Sequence, residues 1–185
     1  MVTLNDGDQA ERLRRLRNHA VTRDPALMSA PLEPWSYEQL ELGFNYRMNE
    51  LEAALGHSQL GKLDRFVQRR RHLAELYNAR LPPLVRPVPF GPGRPSLHLY
   101  QVLMDFDAIG VSRSEVMRRM ADRGVGAQVH YIPLYRQPYF AERYGQTPMP
   151  GAESFYSQVL ALPLFPSMAD EDVARAVAAL NAALG

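Results

Sequence analysis

Apolar residues return every three to four positions through the middle of the chain: Leu51, Leu55, Leu63, Phe66, Val67, Leu73, Leu76 and Tyr77. That is the period of one helix face. The spacing predicts a single helix from about Asn49 to Leu81, roughly 50 Å long at its usual rise per residue. Asn49 is placed to cap it, because an asparagine side chain accepts a hydrogen bond from a free N–H of the first turn. Glu50 and Glu52 put negative charge at the positive end of the helix dipole. Gly56 and Gly61 weaken the helix slightly, and Pro82-Pro83 ends it.

The pattern changes on either side. Residues 1–4 read as the tail of a strand, and Asn5-Asp6-Gly7 as a turn. Asp8 is expected to cap a helix running to about Asn18, with Leu13 and Leu16 on its buried side. Residues 20–40 lack periodicity and contain Pro25, Pro31 and Pro34. A structureless stretch of that length is usually functional or packed on another body, and Trp35, Tyr37 and Phe44 make it sticky. Beyond a proline- and glycine-rich connection at 85–95, residues 98–106 alternate as a strand does. Ser112 caps a helix to about Arg123 with Val116, Met117 and Met120 inward. There follow a short strand at 127–130, an aromatic loop at 131–144, a helix at 152–158, a strand at 159–162 and a closing helix at 170–184. Strand and helix alternating in this way predict a small α/β unit with its own core.

Composition narrows the classes. Of 185 residues 46% are hydrophobic, enough for a core, and the formal net charge of +1 argues against a nucleic-acid binder. The basic clusters at 12–17 and 69–71 fall inside helical patterns, where a solvated face is expected. With no cysteine there are no disulfides and no thiolate metal ligands. No apolar run reaches membrane-spanning length and no signal-peptide pattern opens the chain, so the expectation is a cytoplasmic protein without membrane contact.

Few groups carry obvious chemistry. His57, His72, His98 and His130 are too scattered for a metal site, and none is expected. No nucleophile elbow and no phosphate loop of the Gly-x-x-x-x-Gly-Lys kind occurs. The junction at residues 41–52 is more suggestive. Gly43 suits a sharp turn. Asn45 and Arg47, just before a helix N-terminus, suit an anion or phosphate grip, though from these residues alone the capping and solvation of a loop is the stronger reading. His130 leaves a strand for an aromatic loop, where polar site residues collect. It reads either as a site residue or as a histidine bonded to a loop carbonyl. Tyr100 reads as core.

Several of these stretches together resemble a known family. Residues 42–48 (Leu-Gly-Phe-Asn-Tyr-Arg-Met), 53–56, 59–64, 98–100 and 126–135 are similar to the DegT/DnrJ/EryC1/StrS-type sugar aminotransferases, in the same order and over nearly the whole chain. Residues 34–39 and 130–135 look most like the branch that aminates a UDP-linked 4-keto-6-deoxy-N-acetylhexosamine on the way to pseudaminic acid. The resemblance implies an α/β chain, the C-terminal part of an aspartate-aminotransferase-like fold. Residues 1–48 would be the remnant of a large cofactor-binding domain with an inter-subunit loop, 49–82 a long linking helix, and 83–185 a small α/β domain. It implies pyridoxal 5′-phosphate as cofactor, with Asn45 and Arg47 contacting it. Tyr46, His130, Tyr131 and Tyr135 would face a nucleotide sugar. Glutamate would be the amino donor and a homodimer the working form. The family carries its cofactor on a lysine, in a motif that would lie before Met1. The only lysine here, Lys62, matches a helix position instead. The resemblance therefore implies the C-terminal half of such an enzyme, inactive alone, with no catalytic residue of its own. The rival reading is a non-catalytic module that dimerises or holds a nucleotide sugar.

Overall fold

A computed structural model describes residues 2–91, 93 and 95–185. Met1 of the expected strand tail, and Pro92 and Arg94 of the expected connection at 85–95, lie outside the described residues. The chain divides into two compact units, Met1–Gly61 and Lys62–Gly185.

The first unit starts with helix α1 (Gly7–Leu16), capped not by Asp8 but by Asp6, whose carboxylate accepts from the Gln9 N–H at 3.0 Å. Asp8 instead sits in the first turn. Leu13 is 40% exposed, so the face expected to be buried is largely open. Residues 2–4 form no strand. The unperiodic stretch holds a small ladder: β1 (Val21–Thr22) pairs antiparallel with β2 (Glu38–Gln39). Between them the loop hangs on the Glu38 carboxylate, which accepts from the backbone N–H groups of Ser29 and Ala30, each at 2.8 Å. Those bonds favour the charged form and hold the Glu38 pKa below its ordinary value. Helix α2 (Glu50–Leu60) begins as expected at Asn49. Asn49 Oδ1 accepts from the Glu52 N–H at 2.9 Å, and Glu52 returns the bond to the Asn49 N–H at 3.1 Å, a reciprocal capping box.

The single long helix is not what forms. It stops at Gly61 and restarts as α3 (Leu63–Asn78), with the boundary between the units at the break. A glycine at a helix end gives little helical propensity to carry the turn through, and no side chain caps the restart at Lys62. The apolar stripe changes character at the same place. Leu51, Leu55 and Leu63 are exposed, whereas Leu73 and Tyr77 are wholly buried.

The second unit holds the core. Its sheet runs β3 (Arg86–Pro87), β4 (Tyr100–Leu103), β5 (Val159–Leu162), in that order and antiparallel throughout. β4 alternates, with Tyr100 and Val102 buried, as its period-2 pattern requires. β5 is buried at all four positions because its far edge is also covered: Ala161 bridges Gln128. That bridge is all that forms of the strand expected at 127–130. The strand expected at 98–106 is shorter than its alternation suggested, because Asp105 caps helix α4 (Phe106–Ile109), and β3 forms inside the expected connection at 85–95. α5 (Arg113–Ala121) starts at Ser112 as expected and packs Val116 and Met120 against α8 (Asp170–Leu184). The expected aromatic loop contains a 3-10 turn at Leu134–Arg136 and helix α6 (Pro138–Tyr144), followed by α7 (Pro150–Gln158). Tyr77 and Tyr100 stack at 4.6 Å in the centre, and burial pushes both phenols well above their ordinary pKa. Their hydroxyls donate to the Pro163 carbonyl at 2.9 Å and to Asn78 Oδ1 at 2.6 Å, so neither is a lost bond.

Candidate functional site

The residues expected to act together fall into two groups, one in each unit. In the first unit the segment at 43–47 is laced to the end of α1. Phe44 N–H donates to the Leu16 carbonyl at 2.8 Å, His19 N–H to the Phe44 carbonyl at 2.8 Å, and Tyr46 N–H to the Arg17 carbonyl at 2.9 Å. Asn18 and Asn45 form the bridge between the two segments. The lacing is so close that only glycine fits at 43. A Cβ there would stand 2.3 Å from both the Ala20 nitrogen and the His19 carbonyl carbon. The opposing residues hold the sparsely populated left-handed conformation, His19 at φ 57° and Ala20 at φ 55°. Strain of this kind persists only where neighbouring bonds over-determine it, and it clusters at functional sites.

This frame presents three side chains outward. Asn45 is exposed, and its amide has no hydrogen-bond partner among the described residues. Arg47 is exposed and donates from Nη1 to Asn18 Oδ1. Tyr46 is 71% exposed and stacks on Phe44 at 4.9 Å. Behind them the Arg12 guanidinium grips Glu41 by two bonds, at 2.9 and 2.6 Å. The bonded arginine holds the Glu41 carboxyl below its ordinary range. A preorganised amide and guanidinium on an open edge can bind an oxyanion, and an aromatic pair beside them can flank a ring.

In the second unit, the His130 carbonyl accepts from Gln101 Nε2 at 3.2 Å. The imidazole is half-buried and meets Tyr131 edge-on at 4.7 Å. Its Nδ1 is buried without a partner, so the loop-carbonyl partner expected as the bland alternative is absent for that atom among the described residues. Tyr131 is open to solvent. Tyr135 is committed instead. Its hydroxyl donates to Glu153 Oε1 at 2.8 Å, and Arg136 Nε donates to the same oxygen at 3.0 Å. Burial, then the bonded carboxylate, pushes the Tyr135 phenol up, and the two donors hold Glu153 down. The Arg136 and Arg113 guanidiniums lie on the Tyr156 ring at 5.1 and 4.7 Å. This cluster fastens the start of the aromatic loop to α7. Glu153 and Arg113 carried no signal in the sequence, because a helical glutamate and an arginine are ordinary surface residues until their partners are known.

Lys62 is half-buried at the α3 start and lines neither the cleft at Arg65–Arg70 nor the one between Arg71 and Phe90. No three His, Asp or Glu residues cluster to hold a metal among the described residues. The Asn45 amide and the Arg47 guanidinium are donors of the kind a phosphate group takes.

A match to one family spans residues 1–181, and the family is described as the DegT/DnrJ/EryC1/StrS aminotransferases. The chain belongs to that family. The spore coat polysaccharide biosynthesis protein SpsC of Bacillus subtilis is 34% identical over 179 residues, 94% of this chain and 46% of its own length. The solved structure of Helicobacter pylori PseC, an aminotransferase involved in pseudaminic acid biosynthesis, matches with a TM-score of 0.86 at 27% identity, covering 97% of this chain and 47% of its own. The aminotransferase TlmJ from Streptoalloteichus hindustanus matches at 0.82 and 30% identity, covering 98% of this chain and 46% of its own. The chain spans about half the length of the relatives it matches. The mixed α/β architecture of the two units is therefore that of a pyridoxal-phosphate-type aminotransferase over this span.

Proposed function

We propose that this chain serves amino transfer to a nucleotide-linked keto sugar, supplying phosphate-binding and substrate-facing residues to a pyridoxal-phosphate aminotransferase. The observation that carries the reading is the strained, laced loop that presents Asn45 and Arg47 on an open edge in a family member. In this reading the Asn45 amide and the Arg47 guanidinium bind the cofactor phosphate of a second subunit of a homodimer. Tyr46, His130, Tyr131 and Tyr135 face the sugar nucleotide, with Tyr135 acting through the Glu153 cluster that fixes the loop. Bound pyridoxal phosphate supplies the electron sink for the carbon that gains or loses the amino group. Lys62 takes no part. The substrate proposed is a UDP-linked 4-keto-6-deoxy-N-acetylhexosamine and the donor glutamate. The product is UDP-4-amino-4,6-dideoxy-N-acetyl-β-L-altrosamine, and the setting is the cytoplasm. Similarity to PseC supports this choice of sugar.

The test is a mass-spectrometric assay for that product. The 185-residue chain alone is expected to give none, since no placed lysine is present; turnover by the chain alone would refute the assignment of Lys62. A hybrid in which residues 1–185 replace the matching part of SpsC is expected to catalyse amino transfer. Asn45→Ala and Arg47→Ala are expected to lower turnover at limiting cofactor by tenfold or more, about the worth of a charge-assisted phosphate contact. Undiminished turnover in both variants would refute the phosphate role.

The position of Lys62 also favours a second reading, a non-catalytic module that dimerises or holds a nucleotide sugar. Titration calorimetry with UDP-N-acetylglucosamine, with sizing in parallel, decides it: a monomer that binds nothing removes this reading.

A further inference from the structure

The arginine run at 69–71 is not the solvated face its sequence suggests. All three side chains are half-buried. Arg69 and Arg70 join Arg65, Phe66, Pro166 and Ser167 around an open cleft of about 520 Å³, built wholly within the second unit. Residues 65 and 69, and 66 and 70, lie four apart, which puts them on one face of α3. The opposite wall is the connection between β5 and α8, and it is fixed to α3 at two points. Tyr77 donates to the Pro163 carbonyl at 2.9 Å, and Arg69 donates to the Met168 carbonyl at 3.2 Å from Nε and also from Nη2. The walls are therefore in place before any ligand arrives, which lowers the ordering cost of binding.

The charge in the cleft is one-sided. Its lining contains three arginines and no carboxylate. Asp170, the partner of Arg69, is outside that lining and is shared between Arg69 Nη1 at 2.6 Å and His72 Nε2 at 3.0 Å. Arg65 lies over the Phe66 ring, 5.5 Å from its centroid. Arg70 Nε is buried and has no hydrogen-bond partner among the described residues. A buried guanidinium N–H without an acceptor is costly, and an oxyanion that accepts from its Nε–Nη edge removes the cost. Planar guanidinium forks recognise phosphate oxygens two at a time, and the Ser167 hydroxyl adds a neutral donor.

We infer that this cleft binds a phosphate-class anion, with a diphosphate group preferred over a single phosphate because more than one guanidinium faces it. Its residues are distinct from Asn45, Arg47 and His130, so the inference stands or falls apart from the proposed function.

The probe is pyrophosphate, with inorganic phosphate and UDP as further arms, titrated into the full chain by calorimetry at low salt. Pyrophosphate and UDP are expected to bind more tightly than phosphate and to weaken as salt rises. Arg70→Gln and Arg65→Gln are each expected to weaken pyrophosphate about tenfold, with circular dichroism unchanged. Arg143→Gln, an exposed arginine elsewhere in the unit, is expected to leave binding intact. Arg65→Gln breaks no hydrogen bond in the structure, so it carries the test should Arg70→Gln fail to fold. No measurable pyrophosphate binding, or binding indifferent to both substitutions, overturns the inference. So does tighter binding of a tetraglutamate peptide than of pyrophosphate, which would mark a cleft for acidic protein side chains.

Discussion

The two units are held together by different forces. The second buries Leu73, Tyr77, Tyr100, Val102, Met120, Leu160 and Leu180 to within a few per cent, and behaves as an ordinary hydrophobic core. In the first, Ala20 and Thr22 are the buried residues among those described. Its shape comes from backbone hydrogen bonds, the Glu38 and Glu41 carboxylates and one close glycine contact. Meanwhile Trp35, Leu42, Tyr46, Met48 and Leu51 are mostly exposed, at 69 to 89%. The proposed role at a subunit boundary would cover that surface. The lesson is that directional bonds can fix the geometry of a presenting loop where apolar burial is spent elsewhere.

The contrast can be broken first at the core. Leu180→Ala should cost about 2–5 kcal/mol in denaturant melts, because a wholly buried leucine leaves a cavity. A loss below 1 kcal/mol would show that the second unit is not the stable one. Gly43→Ala should destabilise the first unit by about 1–3 kcal/mol, since the added carbon collides with backbone rather than with a yielding side chain. Hydrogen exchange should quicken at the His19, Phe44 and Tyr46 amides while the second unit keeps its protection. Tyr77→Phe should cost about 1 kcal/mol, the usual net worth of one buried hydrogen bond.

Acid provides a gentler probe. Glu38 and Glu41 have folded pKa values below their unfolded ones, so they stabilise the charged, folded form above the unfolded value. That contribution is lost as pH falls through the depressed folded values. Amide exchange around Ser29 and Ala30 should therefore rise below the ordinary carboxylate range, and Glu38→Gln should remove the dependence. In the second unit, Glu115 is held at about 2 by its bonds to Arg118 and Arg119, so its share persists until pH falls toward 2. The smallest effect is expected at the exposed stripe. Leu55→Ser should change monomer stability by less than about 0.5 kcal/mol, because the side chain is 62% exposed. Should the same substitution alter the sedimentation of the chain, the α2 stripe is an association surface.

Local chemistry was legible from residue order. The Asn49 cap, the Ser112 cap, the alternation through Tyr100 and Val102, and the inward Val116 and Met120 all follow from short-range rules, and all are present. The Asn45–Arg47 segment was legible as a candidate for the same reason: glycine, amide and guanidinium ahead of a capped helix are a local pattern. What failed was anything that depends on a distant partner. Periodicity carried the helix through Gly61, because spacing records which side is apolar and not whether anything lies against it. The arginine run read as solvated, because its partners Met168, Asp170 and the wall at Pro166–Ser167 come nearly a hundred residues later. The bond from Tyr135 to Glu153 and the Tyr156 platform were equally invisible, because those residues arrive only once α7 folds back.

Sequence alone therefore determined the family, the caps, the strand faces and the lack of any lysine but Lys62. Tertiary structure decided where the long helix breaks, how Gly43 is locked against His19 and Ala20, and which arginines face a cleft. The division has a physical reason. Caps and periodicity are fixed by neighbours within about one helical turn, whereas burial and pairing depend on residues brought together only when the chain closes on itself.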